Sequence, residues 1–119
     1  MNSEVSPDIA KENSIYLSIV IPAFNEGEGI RQSLNEVINN VPKKITNKFE
    51  IVVVDDGSTD QTLLELQEMC TSNSNIRVIA MRGNQGHMAA ITAGLTAAKG
   101  DWILTMDAHY LVCKKLLED

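Results

Sequence analysis

Four short runs of apolar and β-branched residues, the first three each followed by a polar turn and a stretch of helical periodicity, constrain this chain more than anything else in it. They are residues 15–21 (IYLSIVI), 49–54 (FEIVVV), 76–81 (IRVIAM) and 102–106 (WILTM). A nearly continuous apolar run, without alternation, is the pattern of a strand buried on both faces, as in a parallel sheet. Pro22 is expected to stop the first run. Between the runs, Ile30, Leu34, Val37, Ile38 and Val41 form one apolar stripe of a helix over residues 27–41 that ends near Pro42. Leu63, Leu66 and Cys70 mark a second helix, and Ser58 with Gln61 three residues later fits a capping box. A third helix is expected from about residue 87 to 99 with Met88, Ile91, Leu95 and Ala98 inward, and Gly100 stands where a helix C-terminal glycine belongs. Three βαβ units in succession, with right-handed crossovers, predict an α/β fold: an open, mainly parallel sheet with helices on both faces.

The loops that follow parallel strands all emerge at one edge, so residues 22–26, 55–60, 82–86 and 107–109 are expected to converge there, at the usual ligand crevice of such sheets. Composition narrows what that crevice can hold. The chain has 119 residues, a formal net charge of -6, 44% hydrophobic and 22% charged residues, so it is one acidic domain with an ordinary core. Its charge, with one Trp, two Tyr and two Phe, argues against nucleic acid as a partner. An anionic ligand is then left to backbone N–H groups, helix N-termini, a few local cations or a bridging metal. Cys70 and Cys113 lack the spacing of a disulfide framework or zinc site and read as buried reduced thiols. Residues 1–13 read as a flexible leader and residues 14–119 as the domain. Without a run long enough to span a membrane, the expected location is the cytoplasm, with docking on the cytoplasmic face of a membrane left open.

Asp55 and Asp56 end an apolar strand, where adjacent carboxylates repel unless hydrogen bonds, a cation or a ligand compensate them. Turn capping by Asp55 and solvation of Asp56 explain a bare Asp-Asp-Gly loop equally well. Asp107-Ala108-His109 places a carboxylate and an imidazole two residues apart, a spacing from which both reach one divalent cation, although an isolated Asp-x-His is more often a turn. Asn84-Gln85-Gly86-His87 joins a strand to a helix, so its N–H groups are able to point at an anion, with Arg82 or His87 adding charge; an ordinary Asn-Gly turn is the alternative. Pro22-Ala23-Phe24-Asn25-Glu26 offers a rigid turn, an aromatic face and two hydrogen-bonding side chains. Neither GxGxxG nor GxxxxGK[ST] occurs.

Taken together, SIVIPAFNEGEGI, FEIVVVDDGSTDQT, IRVIAMRGNQGHMAAITAGLTAAKGD and WILTMDA resemble the nucleotide-sugar half of the inverting GT-A glycosyltransferases of family two, over roughly residues 17–108. The GNQGHMAAITAGL segment resembles most the polyprenyl-phosphate branch, which includes dolichol-phosphate mannose synthases and undecaprenyl-phosphate sugar transferases. The resemblance implies a Rossmann-like half-domain that binds a UDP- or GDP-linked sugar. Pro22, Ala23, Phe24, Asn25 and Glu26 would line the nucleoside pocket, and Asp55 or Asp56 with Ser58 would contact base and ribose; Asn84 and Gly86 belong to the same ligand set. The family's Asp-x-Asp motif would fall on Asp107, Ala108 and His109, where Asp107 and His109 would bind a divalent cation, Mn or Mg, bridging the diphosphate.

Two departures accompany the likeness. The second carboxylate of Asp-x-Asp is His109, a softer ligand, and the chain continues as YLVCKKLLED where the branch has an acidic, glutamine-containing segment. The family's catalytic domain is about twice as long, so the resemblance implies a domain incomplete at its C-terminus, without the acceptor site and general base. A polyprenyl phosphate in a membrane is the implied acceptor; separately, the open sheet edge leaves room for a homo-oligomer that covers it. Two other readings stay open at this point: a receiver-like phosphoacceptor domain built on IVVVDDG and Asp107, and a non-catalytic remnant that binds a partner protein.

Overall fold

The computed structural model describes residues 15–40 and 48–107. Four parallel strands, β1 (Leu17–Ala23), β2 (Phe49–Asp55), β3 (Ile76–Ala80) and β4 (Trp102–Thr105), form one sheet in the order β3-β2-β1-β4. Three helices connect them: α1 (Ile30–Asn40), α2 (Thr62–Ser72) and α3 (His87–Ala97). The chain steps β1 to β2 to β3 in one direction and then returns to the far side of β1 for β4. Because each crossover is right-handed, that reversal moves the connecting helix to the opposite face of the sheet. Two separate cores result. Ile19, Ile21, Ile51 and Val53 pack with Ile30, Leu34 and Val37 of α1 and with Leu66 and Met69 of α2; on the other face Val20, Val52 and Val54 pack with Ala90 of α3. The expected α/β architecture, with helices on both faces, is the one observed.

Pro22 does not stop β1, which runs through it to Ala23. The reason lies in the ladder. Val20 O accepts from Met106 N on the β4 side, and Pro22, two residues on, turns its nitrogen the same way, beyond the last β1–β4 pair of Val20 with Thr105. No ladder bond is lost by having no N–H there.

The inward face of α3 also differs from the expected one. Met88 is 70% and Leu95 41% exposed, whereas Ala90 and Gly94 are the buried positions. This helix is apolar all round, so hydrophobicity selects no face. Close approach selects it: a Cβ on Gly94 would lie 2.3 Å from Val20 Cγ1 and 3.1 Å from Val54 Cγ2. Gly94→Ala is therefore expected to lower stability by about 2 kcal/mol through overpacking, read as a lower urea midpoint with an unchanged m-value. An unchanged midpoint would show that α3 does not sit this close to the sheet.

Gly100 is not the C-terminal glycine of α3. The helix ends with Ala98 in an extended conformation, and Gly100 lies against β1, where a Cβ would come within 2.6 Å of Ser18 N. Strand β4 is an edge, and its four residues are all exposed, Trp102 at 65%. Among the described residues no helix is long and apolar enough to cross a membrane.

Candidate functional site

The C-terminal ends of the strands form a cleft of about 220 Å³. Pro22 and Ala23 from the end of β1 and Phe24 and Glu26 from the following turn make one wall. Asp56 enters from beyond β2, Asn84 and Gly86 from the loop before α3, and Asp107 from beyond β4. His87 and Ala90, on the first turn of α3, complete it. A smaller cavity of about 90 Å³ shares Pro22, His87 and Asp107 with the first and adds Ile91, Thr105 and Met106. The cleft sits where the strand order reverses, between β1 and β4, the usual ligand crevice of an open parallel sheet with helices on both faces.

Hydrogen bonds hold the loops in this arrangement. Asn25 has a left-handed φ of 52°, which Asn tolerates better than most residues, and it links the first loop to the second. Its N–H donates to Ser58 Oγ at 2.8 Å, and its Oδ1 accepts from Thr59 N at 2.8 Å. Glu26 N donates to Thr62 Oγ1 and Gly27 N to Asp60 Oδ2. Hydrogen bonds from Thr62 hold the Asp60 carboxyl below its usual value. The expected capping box is absent: Ser58 faces Asn25, the residue preceding α2 is Gln61, and Gln61 makes no side-chain cap bond. The two Ser58 groups that a capping box would have used are engaged elsewhere: its Oγ accepts from Asn25 N, and its N–H donates to Asp55 Oδ2 at 3.3 Å.

The two adjacent carboxylates have different surroundings. Asp56 is 4% exposed, and its two oxygens accept from Gln85 N at 2.8 Å and Gly86 N at 3.0 Å. The backbone N–H groups expected to face a bound anion therefore face the chain's own carboxylate. Asp55 is 2% exposed; Oδ2 accepts a long bond from Ser58 N at 3.3 Å, and Oδ1 has no hydrogen-bond partner among the described residues. A buried carboxylate oxygen without a donor is costly, by about 1–3 kcal/mol, and points to a group that a ligand satisfies.

Of the residues singled out in the sequence, Pro22, Ala23, Phe24, Glu26, Asp56, Asn84, Gly86 and Asp107 are brought together around the cleft. Asn25, Asp55 and Ser58 are not part of its lining. Ala108 and His109 lie outside the described residues, as do the leader, Val41 and Cys113. Sequence reasoning gave His87 only a supporting charge and overlooked Ala90, whose small side chain lets the first turn of α3 approach the strands.

Residues 18–119 match the family model described as Glycosyl transferase family 2. The chain belongs to glycosyl transferase family 2. Among curated relatives of this family-2 chain, the undecaprenyl-phosphate 4-deoxy-4-formamido-L-arabinose transferase of Pseudomonas savastanoi pv. phaseolicola is 41% identical over 97 residues, which are 78% of this chain and 28% of that protein. Among solved structures, S. aureus TarS in complex with UDP-GlcNAc superposes with a TM-score of 0.68 at 28% identity, covering 87% of this chain and 30% of that one. A mannosyltransferase from Pyrobaculum calidifontis, in complex with GDP-Man and Mn2+, shares the fold at a TM-score of 0.69 and 23% identity, covering 80% of this chain and 28% of that one. The chain thus spans under a third of the length of these proteins. Membership of family 2 sets the receiver-like reading aside.

Among the described residues no three His, Cys, Asp or Glu side chains are close enough to form a metal cage. The donor chemistry still suits a hard divalent cation. Asp107 supplies a carboxylate at the cleft, and Mg²⁺-type sites are commonly held by one or two carboxylates, with substrate phosphates and water completing the shell.

Proposed function

We propose that this family-2 domain binds a nucleoside diphosphate sugar in the cleft at the ends of β1 and β4, for inverting transfer of the sugar to an acceptor of the polyprenyl-phosphate class. The observation that carries the proposal is the convergence of all four post-strand loops on one cleft. That cleft combines an aromatic wall with Glu26, Asp56 and Asp107 carboxylates and stands beside a buried, half-satisfied Asp55. Phe24, 41% exposed at the rim, offers a face to a base; Asp55 Oδ1 awaits an N–H or O–H donor such as a base or ribose provides. The names of the relatives support the rest: an undecaprenyl-phosphate transferase, and structures holding UDP-GlcNAc and GDP-Man.

In such a reaction the acceptor oxygen displaces nucleoside diphosphate from the anomeric carbon with inversion. A divalent cation, when bound, would neutralise charge developing on the leaving diphosphate. Asp107 would hold that cation, and the walls of the cleft fix the nucleoside so that the anomeric carbon stays in place.

Titration with UDP- and GDP-sugars, with and without manganese, tests the reading. Binding of at least one donor, strengthened by manganese, is expected. Asp107→Asn should remove the manganese-dependent increment, weakening affinity by about tenfold, the scale on which changes in metal sites act, while leaving metal-free binding in place. Failure of every donor to bind would overturn the proposal.

A further inference from the structure

The cleft has a charge problem that its own backbone does not solve. Its lining carries three carboxylates, Glu26, Asp56 and Asp107. The two N–H groups that would otherwise meet an anion ahead of α3 are already engaged by Asp56, at 2.8 and 3.0 Å. Other cations are engaged elsewhere: Arg77 with Glu50 and the Ala97 carbonyl, Arg31 with Glu65 and Glu68. Arg82 is not part of the lining. One side chain able to carry positive charge is left among the described lining residues, His87.

Its placement is specific. His87 opens α3, so the positive end of the helix dipole lies behind it. It lines both cavities and, with Pro22 and Asp107, belongs to the wall they share. Its imidazole is exposed and makes no hydrogen bond or ion pair with the described residues. The buried Asp55 Oδ1 without a donor marks the same end of the sheet as one arranged around something that is not protein.

We infer that the His87 imidazole makes the direct side-chain contact to the diphosphate of the bound donor. This assignment rests on the donor-binding reading above. A ring N–H directed at a phosphate oxygen supplies the charge-assisted bond that Gln85 and Gly86 no longer offer. Through the shared wall it also fixes the phosphates between the larger cavity and the smaller one.

The test compares nucleoside with nucleoside diphosphate on the 119-residue chain and its His87→Ala variant, in EDTA so that no cation contributes. Uridine with UDP, and guanosine with GDP, are titrated by calorimetry. The wild type should prefer the diphosphate, and His87→Ala should lose about tenfold in diphosphate affinity, the size of one hydrogen bond to a charged group. Its nucleoside affinity should be unchanged, which also shows that the variant is folded. Equal diphosphate affinity in both proteins would overturn the assignment while leaving donor binding intact. Equal loss of nucleoside and diphosphate would overturn it as well, because His87 would then be shaping the pocket. A wild type that binds neither nucleoside nor diphosphate removes the donor reading and this assignment with it.

Discussion

Gly57→Ala is expected to lower stability by about 3 kcal/mol, adding the strain of a left-handed alanine to overpacking of backbone against backbone. Gly57 has φ +73°, and a Cβ there would lie 2.1 Å from Gly83 C and 2.4 Å from Asn84 N. Both atoms are main chain, so no side chain can swing away. The only relief is separation of the loop after β2 from the loop after β3, and the Asp56 bonds to Gln85 N and Gly86 N span that gap. Nucleotide affinity should therefore fall together with stability. Gly83→Ala is the control: Gly83 has φ +69° but nothing within 4 Å of its Cβ position, so it should show only the conformational cost, about 1 kcal/mol. Urea unfolding of the two variants side by side decides the matter, and equal losses would contradict the loop contact.

Glu50→Gln should cost about 2 kcal/mol at neutral pH, because the buried carboxylate gives up its charge-assisted hydrogen bonds while Arg77, 36% exposed, stays solvated. Glu50 is 4% exposed beneath the C-terminal end of α3. Its Oε2 accepts from Ser18 Oγ at 2.6 Å and Lys99 N at 2.7 Å, and its Oε1 accepts from Arg77 at 2.8 Å. Arg77 also donates to Ala97 O, and Ser18 Oγ accepts from Gly100 N. This network fastens the end of α3 and the return into β4 onto the sheet. Burial by itself would raise the Glu50 carboxyl, but the bonds from Ser18, Lys99 N and Arg77 outweigh it and hold the carboxyl below the ordinary carboxylate value. A carboxyl lower in the folded than in the unfolded chain stabilises fully above the unfolded value, about 4.3 for glutamate, and loses that contribution as pH falls through the folded value. Wild type and Glu50→Gln should thus differ most near pH 7 and converge in acid. Parallel stability curves down to low pH would contradict the network.

The elements themselves were legible because buried strands and amphipathic helices carry their own periodicity, as FEIVVV and the Ile30, Leu34, Val37 stripe do. The misreadings share one cause. Met88 and Leu95 were expected inward because hydropathy ranks large apolar residues first, but the face of α3 was chosen by how near its backbone comes to Val20 and Val54. Ser18, Glu50 and Arg77 carry no local signature: they lie 32 and 27 positions apart along the chain and meet only through strand register and the end of α3. Gly100 had a plausible local role and a different actual one, for the same reason.

The site divides along the same line. Local sequence placed Pro22, Ala23, Phe24, Glu26, Asp56, Asn84, Gly86 and Asp107 on loops following parallel strands, and parallel strands with right-handed crossovers bring such loops to one edge whatever the remaining details. Those consequences follow from short-range pattern and chirality. Which carboxylate is spent on the backbone and which keeps an unpaired oxygen was decided only in three dimensions, since Asp55 and Asp56 are adjacent in sequence but point to opposite sides of an extended chain. That alternation gives Asp56 the N–H groups before α3 and leaves Asp55 Oδ1 without a donor.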